Sequence, residues 1–468
     1  MDEALTATGA QAPRRPYRDV SLWLDQVAEQ GDDLAPRPPL AGDLVVDVCI
    51  VGGGLTGLWT AHYLLEAHPD IRIAILEKEI AGFGASGRNG GWCSALFPAS
   101  AAALERRHGV DAAVAMRRAM IDTVDEVGRA AEQLGIDCDF VKGGTVAFAR
   151  SAAQERLARA ELDEAQRFGT DPLVTIDPAR FGADGARSAV FDPSCARLQP
   201  AKLVRGLARS VEARGATIYE GTAAIDFAAN RVTTAHGTVH ADAVVLALEA
   251  YSATLPKTHR RLLPLYSLMI ATEPLPAAVW DEIGIEHGQT FGDYRHLLIY
   301  GQRTADDRIA FGGRGARYHY ASAVRDDYDR VPRVFEHLRQ ALRELLPATR
   351  DARVTHTWGG PIGVPRDWHA TVSFNRSTGV GFAGGYVGDG LSTTNLAGRT
   401  MADLVTGRRS ELTRLPWVGH DSGRWEPEPL RFLGANLGVS AMALADAEER
   451  VTGRPSLAAA AVRPLTGH

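Results

Sequence analysis

Cysteine is scarce in this chain. Cys49, Cys93, Cys138 and Cys195 are the four among 468 residues, and none stands in CxxC spacing, so they suit a reducing cytoplasm. Lysine is equally rare. Lys78, Lys142, Lys202 and Lys257 leave nearly all positive charge to arginine, which reads as genome composition and not as mechanism. No run of about 18 apolar residues occurs, so no transmembrane segment is expected. No basic cluster stands out, and the net charge of −6 argues against a nucleic-acid or membrane-surface partner. The first 20 residues lack an apolar core and read as a loose tail, not a signal peptide. His296, His319 and His356 have no metal-ligand spacing, so no metal is expected and each reads as a structural histidine.

What is present begins at residue 45. The segment VVDVCIVGGGLTGLWTAHYLLEAHPDIRIAILEK holds an apolar strand over 45–51, then Gly52-x-Gly54-x-x-Gly57. An amphipathic stretch at helical period follows over 58–65, and a second apolar strand over 71–76 ends in Glu77. These are the parts of a dinucleotide-binding βαβ unit in order. Gly52 allows the tight turn, Gly54 lets backbone approach a pyrophosphate, and Gly57 lets the helix pack closely on the sheet. The helix N-terminus offers unpaired N–H groups and a partial positive charge. Glu77 is placed to accept hydrogen bonds from ribose hydroxyls, and an acid there disfavours NADP.

A second glycine-rich loop, GFGASGRNGGWCS at 82–94, follows the acidic strand end. Here the chain resembles the D-amino-acid-oxidase-like family of FAD-dependent oxidoreductases, in the branch that includes gamma-glutamylputrescine oxidoreductases and D-amino-acid dehydrogenases. The resemblance continues through RPPLAGDLVVDVCIVGGG, ADAVVLALEAYS, MIATEPL, TWGGPIGVPRD and GGYVGDGLSTTNLAGRTMADL. It implies an α/β fold: a Rossmann-like FAD-binding domain and a mixed or antiparallel sheet that carries substrate over the flavin. It also implies FAD contacts at Gly52, Gly54, Leu55, Thr56, Gly57, Glu77 and Lys78. In the second loop they fall on Gly84, Ala85, Ser86, Arg88, Asn89, Gly90, Gly91 and Trp92. Further along they fall on Ala224, Gly360, Gly385, Gly388, Gly390, Leu391 and Ser392.

The chain's length exceeds one ordinary domain, and two domains sharing a large core are expected. Residues 1–43 read as an N-terminal arm. Residues 44–135, 190–261 and 350–410 read as a discontinuous FAD-binding domain, and 136–189 with 262–349 as the substrate domain. Residues 411–468 read as a C-terminal appendage with two helical runs. Long helices are expected over 101–135, a helix over 151–168, and strands over 265–273, 295–300 and 308–314, followed by a helix over 332–346.

Within this frame the glycine turn 384–391, between an apolar strand and a helix, forms a second anion site. The resemblance places it beside the flavin pyrimidine, where its N–H groups and dipole stabilise negative charge. Asp389 stands where relatives often carry His, and it either binds a cationic substrate or caps the helix. Glu249 stands where relatives usually carry Gly or Asn. Arg88 is either a phosphate partner or half of a structural salt bridge. Cys93 is a conceivable covalent attachment point, and non-covalent FAD is the expectation. Tyr266, Tyr300, Gln302 and Trp358 fall on strands expected to face the flavin, as an amine-binding set or as ordinary core.

The expected function is oxidation of a C–N bond in an amine or amino acid. The resemblance implies hydride transfer from the neutral amine to flavin N5 and hydrolysis of the resulting imine. No catalytic acid–base residue is required by that chemistry and none stands out. Oxygen or another acceptor reoxidises the flavin; some relatives use a lysine near N5 for oxygen, and no lysine lies in the substrate-side strands. The alternatives are a non-catalytic FAD-stabilised binding protein and a 2-hydroxy-acid oxidoreductase, which would need a general base.

Overall fold

A computed structural model describes residues 15–170, 172–452, 454 and 456. The loose tail expected at the start falls mostly on residues 1–14, outside the described residues. Helix α1 (Leu22–Glu29) follows, N-capped by Ser21. Strand β1 (Leu44–Val51), helix α2 (Leu55–Ala67) and strand β2 (Ile73–Leu76) make the expected βαβ unit, with parallel pairing from Val48↔Ile73 to Val51↔Leu76. Next come β3 (Trp92–Ser94), α3 (Ala101–His108), α4 (Val110–Gln133), β4 (Thr145–Ala149), α5 (Ala152–Phe168), β5 (Val174–Ile176), β6 (Ser188–Asp192) and β7 (Cys195–Arg197). Helix α6 (Pro200–Ala213), β8 (Thr217–Tyr219), β9 (Ala224–Ala228), β10 (Arg231–Thr234) and β11 (Thr238–Leu246) return the chain to the first sheet. The excursion β12 (Leu263–Thr272), α7 (Ala277–Ile283), β13 (Thr290–Asp293), β14 (Ile299–Arg303), β15 (Ile309–Gly313), α8 (Pro332–Leu345) and β16 (Val354–Val364) follows. Strands β17 (Thr371–Asn375) and β18 (Val380–Gly384) and helices α9 (Gly390–Thr406) and α10 (Leu430–Thr452) complete the chain.

The first sheet runs β17-β18-β11-β1-β2-β8, parallel from β18 to β8, with the β9–β10 hairpin along β11. Both faces of its centre are covered, so β1 reads as a continuous apolar run with Val48 to Val51 almost wholly buried. Gly57 makes the close approach of helix to strand possible: a Cβ there would lie 2.1 Å from the Gly52 carbonyl oxygen.

The second sheet runs β16-β12-β15-β14-β13-β4-β6-β5 and is mixed, because β13 and β4 pair in parallel within an otherwise antiparallel array. Side chains alternate across it. Tyr266, Leu268 and Ile270 point to one face, where Leu338 and Leu342 of α8 pack. Ser267 and Met269 point to the other, together with Trp358, Gly312 and Tyr300, their cross-strand neighbours. This second face meets α1 and the loop after β2.

Several boundaries differ from the sequence reading. Strand β16, read as part of the 350–410 nucleotide segment, pairs with β12 over ten residue pairs and belongs to the second sheet. Strand β6 likewise crosses the boundary set at 190 and pairs with β4. Residues 411–425 are not an appendage. Trp417 lies in the main core, and Trp425 is tied to the carbonyl of Val364. Beyond them lies one helix among the described residues, α10, in place of two runs. No helix among the described residues is long and apolar enough to cross a membrane.

Candidate active site

The βαβ turn builds a cradle for a dinucleotide. Gly52 sits at φ +116°, where a side chain would strike the Ala247 carbonyl oxygen at 2.5 Å. Gly54 is the N-cap of α2 and brings no side chain to cap it, leaving that helix end to a ligand. Leu55 N donates to Ser86 Oγ at 2.8 Å, and the Thr56 hydroxyl meets the Tyr386 hydroxyl at 3.1 Å, so the first turn touches both glycine-rich segments. Glu77 accepts from Gly53 N and Glu79 N, each at 2.9 Å, and burial pushes its carboxyl up to about 7. Lys78 faces solvent near Glu79 at 3.7 Å, and Ala224 is half-buried at the start of β9. A helix start whose N-cap glycine brings no side chain, an acceptor carboxylate at the β2 end and the close loop fit a bound FAD.

The second glycine loop is held rigidly. Five successive carbonyls each accept a hydrogen bond, from donors in four separate segments. Gly87 O accepts from Ser21 Oγ at 2.7 Å, Arg88 O from Trp358 Nε1 at 2.8 Å and Asn89 O from Trp23 Nε1 at 2.7 Å. Gly90 O accepts from Gln302 Nε2 at 2.6 Å and Gly91 O from Leu198 N at 2.9 Å. Asn89 closes the loop on itself by accepting from Gly91 N at 2.8 Å and donating to Ala85 O at 3.1 Å. Two substrate candidates are thereby corrected. Gln302 and Trp358 are on the expected face but buried, and their polar atoms hold the loop. Tyr266 is corrected by strand parity: it lies on the opposite face, edge-on to His319 and Tyr328. Arg88 takes the salt-bridge alternative. Nη1 pairs with Asp329 at 3.2 Å and donates to Gly359 O, and Nε donates to Phe83 O at 2.7 Å.

Tyr300 does reach the face over the loop. Its ring packs against Trp92 at 6.0 Å and above Gly90, and its hydroxyl meets Ser267 Oγ at 2.9 Å. Beside it stands Arg314, directly after β15, which the sequence reading missed. Its signal was an arginine framed by Gly312, Gly313 and Gly315 at the end of a strand on the substrate side. Arg314 donates to Val387 O at 2.8 Å, lies 5.6 Å over the Trp368 ring, and burial lowers its pKa against the attraction of Asp389.

Two unusual carboxyls meet at the turn before α9, Asp389 on it and Glu249 from the segment after β11. Gly385 and Gly388 adopt φ +82° and +108°, and Leu391 and Ser392 are buried in the first turn after Gly390. Asp389 occupies the N-cap position without making a side-chain cap bond, which removes the helix-cap alternative. Burial raises its carboxyl to about 6, opposed by Arg314. Glu249, at φ +46°, accepts from Tyr386 N at 2.9 Å, and burial pushes it to about 7. Its other oxygen is buried without a hydrogen-bond partner among the described residues. Gly360 packs against the Arg88 stem. Cys93 is fully buried, and burial drives its thiol well above the usual range. No group of three or more metal-ligating side chains that could hold a metal occurs among the described residues.

Comparison with known proteins agrees with this geometry. The family model DAO, described as FAD dependent oxidoreductase, matches residues 47–404. The probable oxidoreductase OrdL of Haemophilus influenzae is 30% identical over 390 residues, 80% of this chain and 86% of its own length. The gamma-glutamylputrescine oxidoreductase of Escherichia coli is 29% identical over 427 residues, 87% of this chain and 95% of its own. The crystal structure of glycine oxidase from Geobacillus kaustophilus shares the fold, with a TM-score of 0.67 at 21% identity over 81% of this chain and 99% of that one.

Proposed function

The chain belongs to the DAO family of FAD-dependent oxidoreductases, and on that premise we propose that it oxidises a C–N bond in an amine or amino acid whose charged groups meet Asp389 and Arg314. The observation that carries this reading is the uncapped Asp389. An aspartate at an N-cap ordinarily serves its helix, whereas this carboxylate makes no cap bond and has the half-buried Arg314 cation as its electrostatic neighbour. A carboxylate free of structural duty is available to a substrate ammonium, and Arg314 to a substrate carboxylate.

FAD, when bound, supplies the two-electron acceptor. The chain's own residues bind and orient. The α2 N-terminus takes the pyrophosphate, Glu77 accepts from ribose hydroxyls, and the loop around Ser86 to Trp92 shapes the flavin side of the pocket. Tyr300, steadied by Ser267, walls the substrate side and excludes water. The α9 N-terminus favours negative charge next to it. Buried Cys93, with its thiol held protonated, supports non-covalent attachment. The reading needs no general base, and His319 does not offer one: it stacks on Tyr328 at 3.4 Å on the far face of the sheet.

The four lysines hold ion pairs with Glu79, Asp125, Asp139 and Asp226, away from the Tyr300 face. This supports a dehydrogenase with an acceptor other than oxygen. The four free thiols are all buried, which fits a cytoplasmic setting. The test is anaerobic mixing of the FAD-loaded protein with a panel of amines, amino acids and 2-hydroxy acids. Loss of the flavin's visible absorbance with amines is expected. Reduction by hydroxy acids alone, or by nothing in the panel, sinks the reading.

A further inference from the structure

Helix α10 is docked the wrong way round for an ordinary surface helix. Its inner side is held largely through polar groups. Asp446 accepts from His296 N at 2.7 Å and Leu297 N at 2.9 Å, and Glu449 meets His296 Nε2 at 2.9 Å. Asn436 exchanges two hydrogen bonds with the Tyr318 backbone, each 3.1 Å. Its outer side is apolar: Leu430, Leu433, Leu437, Leu444 and Val451 are between 52% and 86% exposed. A helix that packs on its own core does the reverse.

The outer side has a register. Leu430, Leu437, Leu444 and Val451 recur every seven residues, the spacing of a helix–helix seam. From Leu430 to Ala447 the exposed positions carry no charge. The first half is dense in leucine, and the second offers Ser440, Ala443 and Ala447. When two copies lie antiparallel, Leu433 and Leu437 of one stand opposite Ala447 and Ala443 of the other. A two-fold axis near Ser440 produces that arrangement and closes the assembly at two. Nearby, Tyr320 is 57% exposed and packs edge-on to Phe432, widening the patch. A lipid surface is a poor occupant, because membrane-lying helices flank their apolar face with Lys and Arg. Here the helix sets Asp446, Glu448 and Glu449 against a buried Arg431 and one exposed Arg450, so no basic flank lines the apolar face, and the whole chain is net −6.

We infer that the outward face of α10 is a self-association surface, on which a second copy of this chain docks its own α10 antiparallel. A 23-residue helix is about 34 Å long and about 10 Å wide, so the strip covers roughly 350 Å² on each copy. That is under half of a standard interface of about 800 Å² per partner, so the dimer is weak and follows concentration.

Sedimentation of the FAD-loaded protein over a roughly hundredfold concentration range tests this by mass action. The mass should climb from 50.2 kDa toward twice that value. Leu437→Glu combined with Leu444→Glu should remain monomeric throughout, with far-UV circular dichroism and flavin content unchanged. The native thiols are buried, so Ser440→Cys should form disulfide-linked dimers on mild oxidation and Leu430→Cys should not. A wild-type protein that stays monomeric, or a double variant that dimerises like wild type, overturns the proposal. Linking at Leu430 overturns the antiparallel arrangement. Binding of the monomer to phosphatidylcholine vesicles overturns the choice of occupant.

Discussion

Gly54 and Gly57 stand three residues apart and fail differently when substituted. A Cβ on Gly57 meets main chain at 2.1 Å, whereas on Gly54 its nearest neighbour is the movable Ser86 hydroxyl at 2.9 Å. Gly57→Ala should therefore lower the melting temperature of the cofactor-free protein. Gly54→Val should leave that temperature within a few degrees and abolish FAD binding in a titration, because the branched side chain fills the pyrophosphate approach. Asp389 carries a prediction about substrate. Its carboxyl ionises near 6, so kcat/KM for an amine with a cationic tail should rise as pH climbs through that value. Asp389→Asn should lose this limb and raise KM for a diamine while sparing a matched monoamine. An unchanged ratio between the two removes Asp389 from the site. Glu249 carries one about stability. Its pKa is raised in the folded state, so the native protein holds the proton more tightly than the unfolded chain. The associated stability is present below the ordinary carboxylate range and lost as pH rises through about 7. Urea midpoints should show wild type falling relative to Glu249→Gln between about pH 5 and about pH 8.

Among elements, the loop carrying Gly87 to Gly91 is the one whose support is most exposed to test. Trp358→Phe keeps the ring and removes one N–H donor from the Arg88 carbonyl. FAD affinity should fall by about 0.5–1.5 kcal/mol, the net worth of one hydrogen bond. A titration showing no loss means the loop does not rely on that clamp. The same loop explains what could be read from the sequence. The βαβ unit, the long helices over 101–135 and the strand before the second glycine turn were legible because their signals are local and periodic. Gln302 and Trp358 were placed on the correct face with both alternatives open, substrate set or core, and their hold on the loop was not legible because their partners lie 212 and 270 residues away. Tyr266 was misplaced because strand parity has period two, and a neighbouring position is on the other side of the sheet. Strand β13 escaped notice because its four residues, TFGD, show no apolar alternation. Arg314 escaped because an arginine after a strand is common, and only the approach of Val387 and Trp368 makes this one distinctive.

At the scale of the molecule, the two sheets are not separable workshops. Strand β16 leaves the nucleotide segment to complete the second sheet, and α1, far from that sheet in sequence, packs against Trp358. The five carbonyl clamps then impose an order in time. The glycine turn 52–57 and its βαβ unit involve neighbours in the chain and can form early. The loop at 87–91 cannot be held until Ser21, Trp23, Leu198, Gln302 and Trp358 have all arrived, and closing contacts across 270 residues is slow. A chain emerging from the ribosome thus carries every glycine of its cofactor motifs long before it can keep the cofactor. In refolding, recovery of far-UV circular dichroism should precede the quenching of FAD fluorescence on capture. Coincident phases would show that the loop orders with its own βαβ unit. Cofactor retention would then act as a late checkpoint, reporting that segments from α1 to β16 have met.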